Sequence, residues 1–381
     1  MLLTTKPNSI FYPLNMKKNN LLAGPLLALA LLAGCSPKED QPIPAPVGSR
    51  VFVVNEGKFN SNNGTVALFD PTAKTVALDL FGTANGASRK LGDVVQHLAV
   101  AGNRGYAVVN NSNKVEVVSL PDFRSVATIT GLASPRYFQA VSATRAYVTQ
   151  WGNYAGTIRA DVRVLDLTTN TVVDSIAVGP LPERLLLVGG RVFVVNYGGN
   201  TVSVLDPAIN RVTATVRVGD APNSLALDKN NRLWVLCGGE VKYDANYNVD
   251  YTTTTAGSLY SLDPANPTAT VTARPYLTNV KSPTDLQLNP ARDQLYFRAI
   301  DAASYLGGVC RLGIADAALP SLTTPFIPGQ FYGLGLDPAT GIVYVGTGNF
   351  AADKIVRYQP GGEKIDEYGV GIGPSGFVFF Q

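Results

Sequence analysis

Short apolar runs, each bounded by Gly, Pro, Asn or Asp, begin at residue 51 and continue to the end of the chain. The clearest recurs as Val51-Phe52-Val53-Val54-Asn55, Tyr106-Ala107-Val108-Val109-Asn110, Tyr147-Val148-Thr149-Gln150 and Val192-Phe193-Val194-Val195-Asn196. It returns as Leu233-Trp234-Val235-Leu236, Leu295-Tyr296-Phe297 and Val343-Tyr344-Val345. The aligned aromatic positions (52, 106, 147, 193, 234, 296 and 344) are separated by 54, 41, 46, 41, 62 and 48 residues. β-Branched and aromatic residues in short runs favour strands, and a unit of this length holding several strands predicts a propeller blade. The fourth copy divides into strands at Leu185 to Val188, Val192 to Asn196, Thr201 to Leu205 and Arg211 to Val218. Gly189-Gly190, Gly198-Gly199-Asn200 and Asp206-Pro207 supply the turns between them.

The two ends of the repeat region complement one another. Val51 to Asn55 reads as a second strand with no first, and Gly373 to Phe380 reads as a first strand with nothing after it. Pairing them completes a seventh blade and leaves no open sheet edge. The predicted fold is therefore all-β: a seven-bladed β-propeller of four-stranded antiparallel blades over residues 51–381, its ring closed by the N- and C-terminal strands. Val194-Val195-Asn196-Tyr197, Thr201-Val202-Ser203-Val204-Leu205-Asp206 and Val212-Thr213-Ala214-Thr215-Val216-Arg217-Val218-Gly219 resemble the YVTN-type bacterial propeller repeat. That resemblance bears on fold, since propellers host many activities.

Before residue 51 the chain changes character. Met16-Lys17-Lys18 opens a basic segment, Leu21 to Leu32 is a short apolar stretch, and Leu32-Ala33-Gly34 precede Cys35. This order predicts a signal peptide over residues 1–34, with Met16 as a second candidate start, and the apolar stretch is too short to remain as a membrane span. Leu-Ala-Gly before a cysteine resembles the bacterial lipobox, which implies lipidation of Cys35. Residues 35–50 then read as an extended, proline-rich tether. Lys38-Glu39-Asp40 resembles the surface-export signal of Bacteroidota lipoproteins, which implies an outer-membrane protein facing the cell exterior and touching the membrane only through its lipid.

Composition narrows the chemistry. The formal charge is +3, and removing Lys6, Lys17 and Lys18 with the signal leaves 3 − 3 = 0. A neutral domain has no electrostatic footprint for nucleic acid. One histidine, His97, and three cysteines predict no metal site and no disulfide framework, although Cys237 and Cys310 leave a single bridge open. No nucleophile elbow or phosphate loop is present, and neither a cofactor nor a catalytic residue is predicted.

In a propeller the second-to-third and fourth-to-first connections share one face, called here the upper face. Its loops, residues 55–65, 150–161, 237–257 and 298–308, are long and rich in rings, while those of the lower face are short. Phe59, Trp151, Tyr154, Tyr197, Tyr243, Tyr247, Tyr305 and Phe350 are candidate ligand contacts, because large rings in solvent-facing loops have no core to fill. Gln96, Tyr137, Arg184, Asn223, Thr284 and Tyr332 occupy one equivalent position at the start of the first strands. Arg136, Glu183 and Asp285 stand beside them, giving a second candidate layer at the mouth of the channel. His97 reads as a packed or hydrogen-bonded strand residue.

Lipobox, Lys38-Glu39-Asp40, seven repeats and the opening Val53-Val54-Asn55-Glu56-Gly57 together resemble the cobalamin-capturing surface lipoproteins of Bacteroidota. The resemblance implies capture of a small amphipathic ligand, a corrinoid, on the upper face and its transfer to a TonB-dependent transporter. Two alternatives stay open: a surface propeller that binds a protein partner and no small ligand, and a propeller lyase or quinoprotein-like enzyme.

Overall fold

A computed structural model of the chain describes residues 50–380 apart from residues 154, 270, 277–281, 302 and 303. The signal segment, Cys35, the tether to residue 49 and Tyr154 thus lie outside the described residues. Seven four-stranded antiparallel sheets are present. The blade that closes the ring orders its strands Pro374–Phe380, Arg50–Asn55, Thr65–Asp70 and Thr75–Ala77. Arg50 pairs with Phe380 and Val53 with Phe377, so the two ends of the propeller meet as predicted. Counting this as blade one, the fourth blade runs Pro182–Val188, Arg191–Asn196, Thr201–Asp206 and Arg211–Arg217, within a few residues of the predicted bounds.

Burial along a blade explains its sequence. The second strand of blade four is buried at every position after Arg191, because neighbouring blades cover both its faces, and it is correspondingly apolar. Its outermost strand alternates exposed and covered positions and carries Arg211, Thr213, Thr215 and Arg217 on the wet side. Gly189 and Gly190, with φ of 56° and 77°, form the tight lower turn between the first two strands, where both central residues must be left-handed.

The core consists of clusters between blades. Phe52, Val54, Leu98 and Val109 join blades one and two, and Val51, Val53, Tyr344 and Ile355 join blades one and seven. The closing contact is aromatic: Phe52 lies parallel to Phe380 at 4.3 Å between ring centroids and tilts against Phe123 at 5.6 Å. Phe52→Ala should therefore lower unfolding stability by about 3–5 kcal/mol, the range for a truncated core aromatic. Urea unfolding checks this, and a loss under about 1 kcal/mol would show that ring closure does not rest on this contact.

Candidate functional site

The first strands of the blades line the channel, and their upper ends share a feature that places the site. In six of the seven blades the pairing of first and second strands slips by one residue there. Between Val95 and His97 the extra residue is Gln96. Arg136 and Tyr137 lie between Pro135 and Phe138, and Glu183 and Arg184 between Pro182 and Leu185. Asn223, the pair Asp285 and Leu286, and Ser375 occupy the slips of blades five, six and one. A bulge of this kind re-aims the inserted side chain. Just ahead of it stand left-handed residues: Val94, Ser134, Leu181, Ala221 and Gly373, with φ between 46° and 63°. Four of these precede a proline (Pro135, Pro182, Pro222 and Pro374), whose ring fixes its own φ at the first position of the strand.

The result is a polar cavity of about 280 Å³ at the upper mouth. Of the predicted residues, Gln96, Arg136, Tyr137, Glu183, Arg184, Thr284, Asp285 and Tyr332 line it, joined by Glu56, His97, Gln287, Arg298 and Ser375. Arg136 donates to Glu183 twice, from Nε at 2.9 Å and Nη2 at 2.6 Å, and from Nη1 to the Gln96 carbonyl. Gln96 in turn donates to the Tyr137 hydroxyl at 3.3 Å. Asp285 takes Arg184 Nη2 at 3.0 Å and Arg298 Nε at 2.7 Å. The Tyr332 hydroxyl donates to Glu56, and its ring meets Phe350 edge-on at 5.0 Å. Burial pushes the Glu56 carboxyl above the usual carboxylate range, against the Tyr332 hydrogen bond and the Arg136 charge, which pull it down.

A stack links the cavity to the surface. The Arg136 guanidinium lies 4.1 Å from the Trp151 ring, and Trp151 is stacked on Tyr197 with centroids 5.9 Å apart and planes 12° from parallel. Tyr197 is 40% exposed at the outer end. Phe59, Tyr243, Tyr247 and Tyr305 are more exposed still, Tyr247 at 89%, and stand on the upper loops away from the cavity wall. Asn223 is not part of the wall: its amide donates to the Pro283 carbonyl at 2.9 Å and ties blade five to blade six.

The lower mouth is the chemical opposite. Leu186, Leu225, Leu227, Leu288, Leu336 and Phe379 border an apolar recess of about 590 Å³. Cys237 and Cys310 are buried and are not joined in a disulfide, and burial pushes Cys237 up to about 12.

His97 illustrates how the bulges were reachable only in part from sequence. It packs as expected, its Nδ1 accepting the Phe138 N–H at 3.2 Å and its ring 5.1 Å from Tyr137. That bond leaves the proton on Nε2 and no free lone pair. Burial, with the nearby Arg184 charge, pulls the imidazole down to about 3. As this is the chain's one histidine, its resonances are readable by NMR. They should stay flat between pH 5 and 8, and a titration midpoint near 6.5 would show that the ring is not enclosed as described. Because the folded-state value is depressed, the stability His97 contributes is present above about 6.5 and is lost as pH falls toward 3.

Solved structures share the architecture. A putative 6-phosphogluconolactonase from Bacteroides fragilis superposes with a TM-score of 0.63 at 13% identity, covering 89% of this chain and 100% of that one. A quinonprotein alcohol dehydrogenase-like protein from Bacteroides thetaiotaomicron gives 0.62 at 16% identity, covering 87% and 78%. The periplasmic gluconolactonase of Pseudomonas aeruginosa gives 0.56 at 15%, covering 87% and 99%. At such identities the likeness is one of fold. A curated relative, PE-PGRS family protein PE_PGRS18 of Mycobacterium tuberculosis, is 46% identical over 39 residues, so the match spans 10% of this chain and 8% of that protein. Residues 49–379 match the profile of a family described as a domain of unknown function, DUF5074, and the chain belongs to that family.

Proposed function

We propose that this propeller captures a ligand at its upper mouth, and that a corrinoid is the ligand its surface suits best. The observation that carries the reading is the stack Tyr197–Trp151–Arg136, which runs from an exposed ring down to a polar cavity. A corrinoid is a broad macrocycle fringed with carboxamide arms. The macrocycle is too large for a cavity of about 280 Å³, so it would lie over the mouth against exposed rings while an arm enters. Three guanidiniums (Arg136, Arg184, Arg298) face three carboxylates (Glu56, Glu183, Asp285), a balance that favours an uncharged ligand rich in donors and acceptors. His97 takes no part in holding cobalt, since its lone pair already accepts the Phe138 N–H. A partner-binding surface would instead be flat and filled by its own side chains.

The anchoring reading fits this orientation. Arg50 begins a second strand and so enters at the lower face. A lipidated Cys35 would be joined to it by a tether of at most about 50 Å at roughly 3.3–3.6 Å per residue. On this reading the captured ligand would pass to a neighbouring transporter of the TonB-dependent class.

A second reading rests on the Glu56–Tyr332 contact, because a buried carboxyl bonded to a phenol is the kind of pair acid–base chemistry uses. Two of the similar structures are named as lactonases. The enzyme reading predicts faster hydrolysis of glucono-1,5-lactone than in buffer alone, abolished by Glu56→Gln. Capture predicts no acceleration.

Calorimetric titration of residues 36–381 with cyanocobalamin tests capture directly. One-to-one binding is expected, weakened about 5- to 10-fold by Trp151→Ala and again by Tyr197→Ala, the scale of a lost aromatic contact. Absence of heat, or binding indifferent to both changes, would remove the corrinoid reading.

A further inference from the structure

Charges in the upper cavity are matched with one exception. Glu183 has Arg136, and Asp285 has Arg184 and Arg298. Glu56 makes no ion pair among the described residues; its carboxylate meets two neutral hydroxyls, those of Tyr332 and Ser375. Its position is fixed from both sides: its N–H donates to the Gly373 carbonyl at 2.9 Å, and its own carbonyl accepts the Val95 N–H at 3.2 Å. The groups facing it come from every neighbouring blade: Tyr332 from blade seven, Arg136 from blade three, Asp285 from blade six, Ser375 from blade one and His97 from blade two. Arg136, the cation among them, is spent on Glu183 and Gln96. Three blades away, on the opposite wall, Arg184 makes a single hydrogen bond among the described residues, from Nη2, and its side chain is 30% exposed, the most open of the three guanidiniums. A half-buried carboxylate without a cation disfavours the folded state, and such groups mark places where a ligand can add a donor.

We propose that Glu56 is the specificity-determining residue of this cavity: it accepts a hydrogen bond from the N–H of an uncharged carboxamide arm while Arg184 donates to a ligand carbonyl, so the site takes a primary carboxamide and turns away the corresponding carboxylate. The proposal rests on the capture reading but not on the corrinoid. A carboxylate arm would place a second negative charge against Glu56 in a poorly solvated space, whereas an amide supplies the donor and keeps the balance.

Two measurements decide it. The first needs no ligand. Because burial raises the folded-state value of Glu56, its contribution to stability is most favourable at low pH and is lost as pH rises. Glu56→Gln should therefore melt about 2 °C above the wild type at pH 8, with the gap closing at pH 4. A lower Tm at both values would make Glu56 a structural clamp on Tyr332 and overturn the proposal. The second uses propionamide and propionate, which carry the recognised group alone, followed by saturation-transfer NMR. The wild type should take up propionamide about tenfold better, and Glu56→Gln should lose the discrimination. Equal signals from the wild type, or a preference for propionate, would overturn the assignment. Failure of cyanocobalamin to bind would remove the corrinoid and leave this comparison standing.

Discussion

Seven strands must converge on one narrow axis, and this crowding is the constraint on which the rest of the molecule depends. At their lower ends the strands meet it with leucines and phenylalanines that border an apolar recess. At their upper ends six of them slip by one residue, and the inserted Gln96, Arg136, Glu183, Arg184, Asp285 and Ser375 line the channel. The slips are set up by left-handed residues just before the strands, among them Val94, a β-branched residue in a conformation that normally disfavours it. Strain of this sort persists where the surrounding structure over-determines it. Here the clusters between adjacent blades do so, and the same rigidity pre-positions Arg136, Glu183 and Arg184 at a common depth.

Holding three guanidiniums and three carboxylates in so small a space carries a desolvation penalty that ion pairing only partly offsets. The bidentate Arg136–Glu183 pair and the shared Asp285 remove most of the imbalance by geometry. What remains is local: Glu56 with a phenol and no cation on one wall, Arg184 with spare donors on the other. The channel is thus polar and chemically asymmetric above and apolar below, so its two mouths are suited to different contacts.

Most of the fold was legible because second strands such as Val192-Phe193-Val194-Val195 are covered on both faces and must be apolar throughout. The repeat therefore survives in the sequence even where loops vary. The strand pairing at the chain ends was legible for the same reason. The bulged layer was partly legible: aligning blades brought out Gln96, Tyr137, Arg184, Thr284 and Tyr332 as equivalent. Asn223 stands at the equivalent bulge of blade five, but its amide is taken up by the Pro283 carbonyl, a bond that nothing local to it announces. Glu56 and Arg298 escaped because they lie just past or near the upper end of second strands, and only the closed ring carries them to the first strands of other blades. A usable signal was present in the prolines at 135, 182, 222 and 374, each fixing a strand entry one residue before the cavity layer. The exposed rings were recognisable as a group, but which of them stack, as Trp151 does on Tyr197, depends on loop packing that spans blades.

The most direct test of the central claim, that the upper mouth is where ligand is taken, is hydrogen–deuterium exchange of residues 36–381 with and without saturating cyanocobalamin. The account predicts slowed exchange in residues 55–65, 150–161 and 237–257 and at the upper ends of the first strands, with the lower turns unchanged. Protection confined to the apolar lower mouth, around Leu225, Leu288 and Phe379, would contradict it.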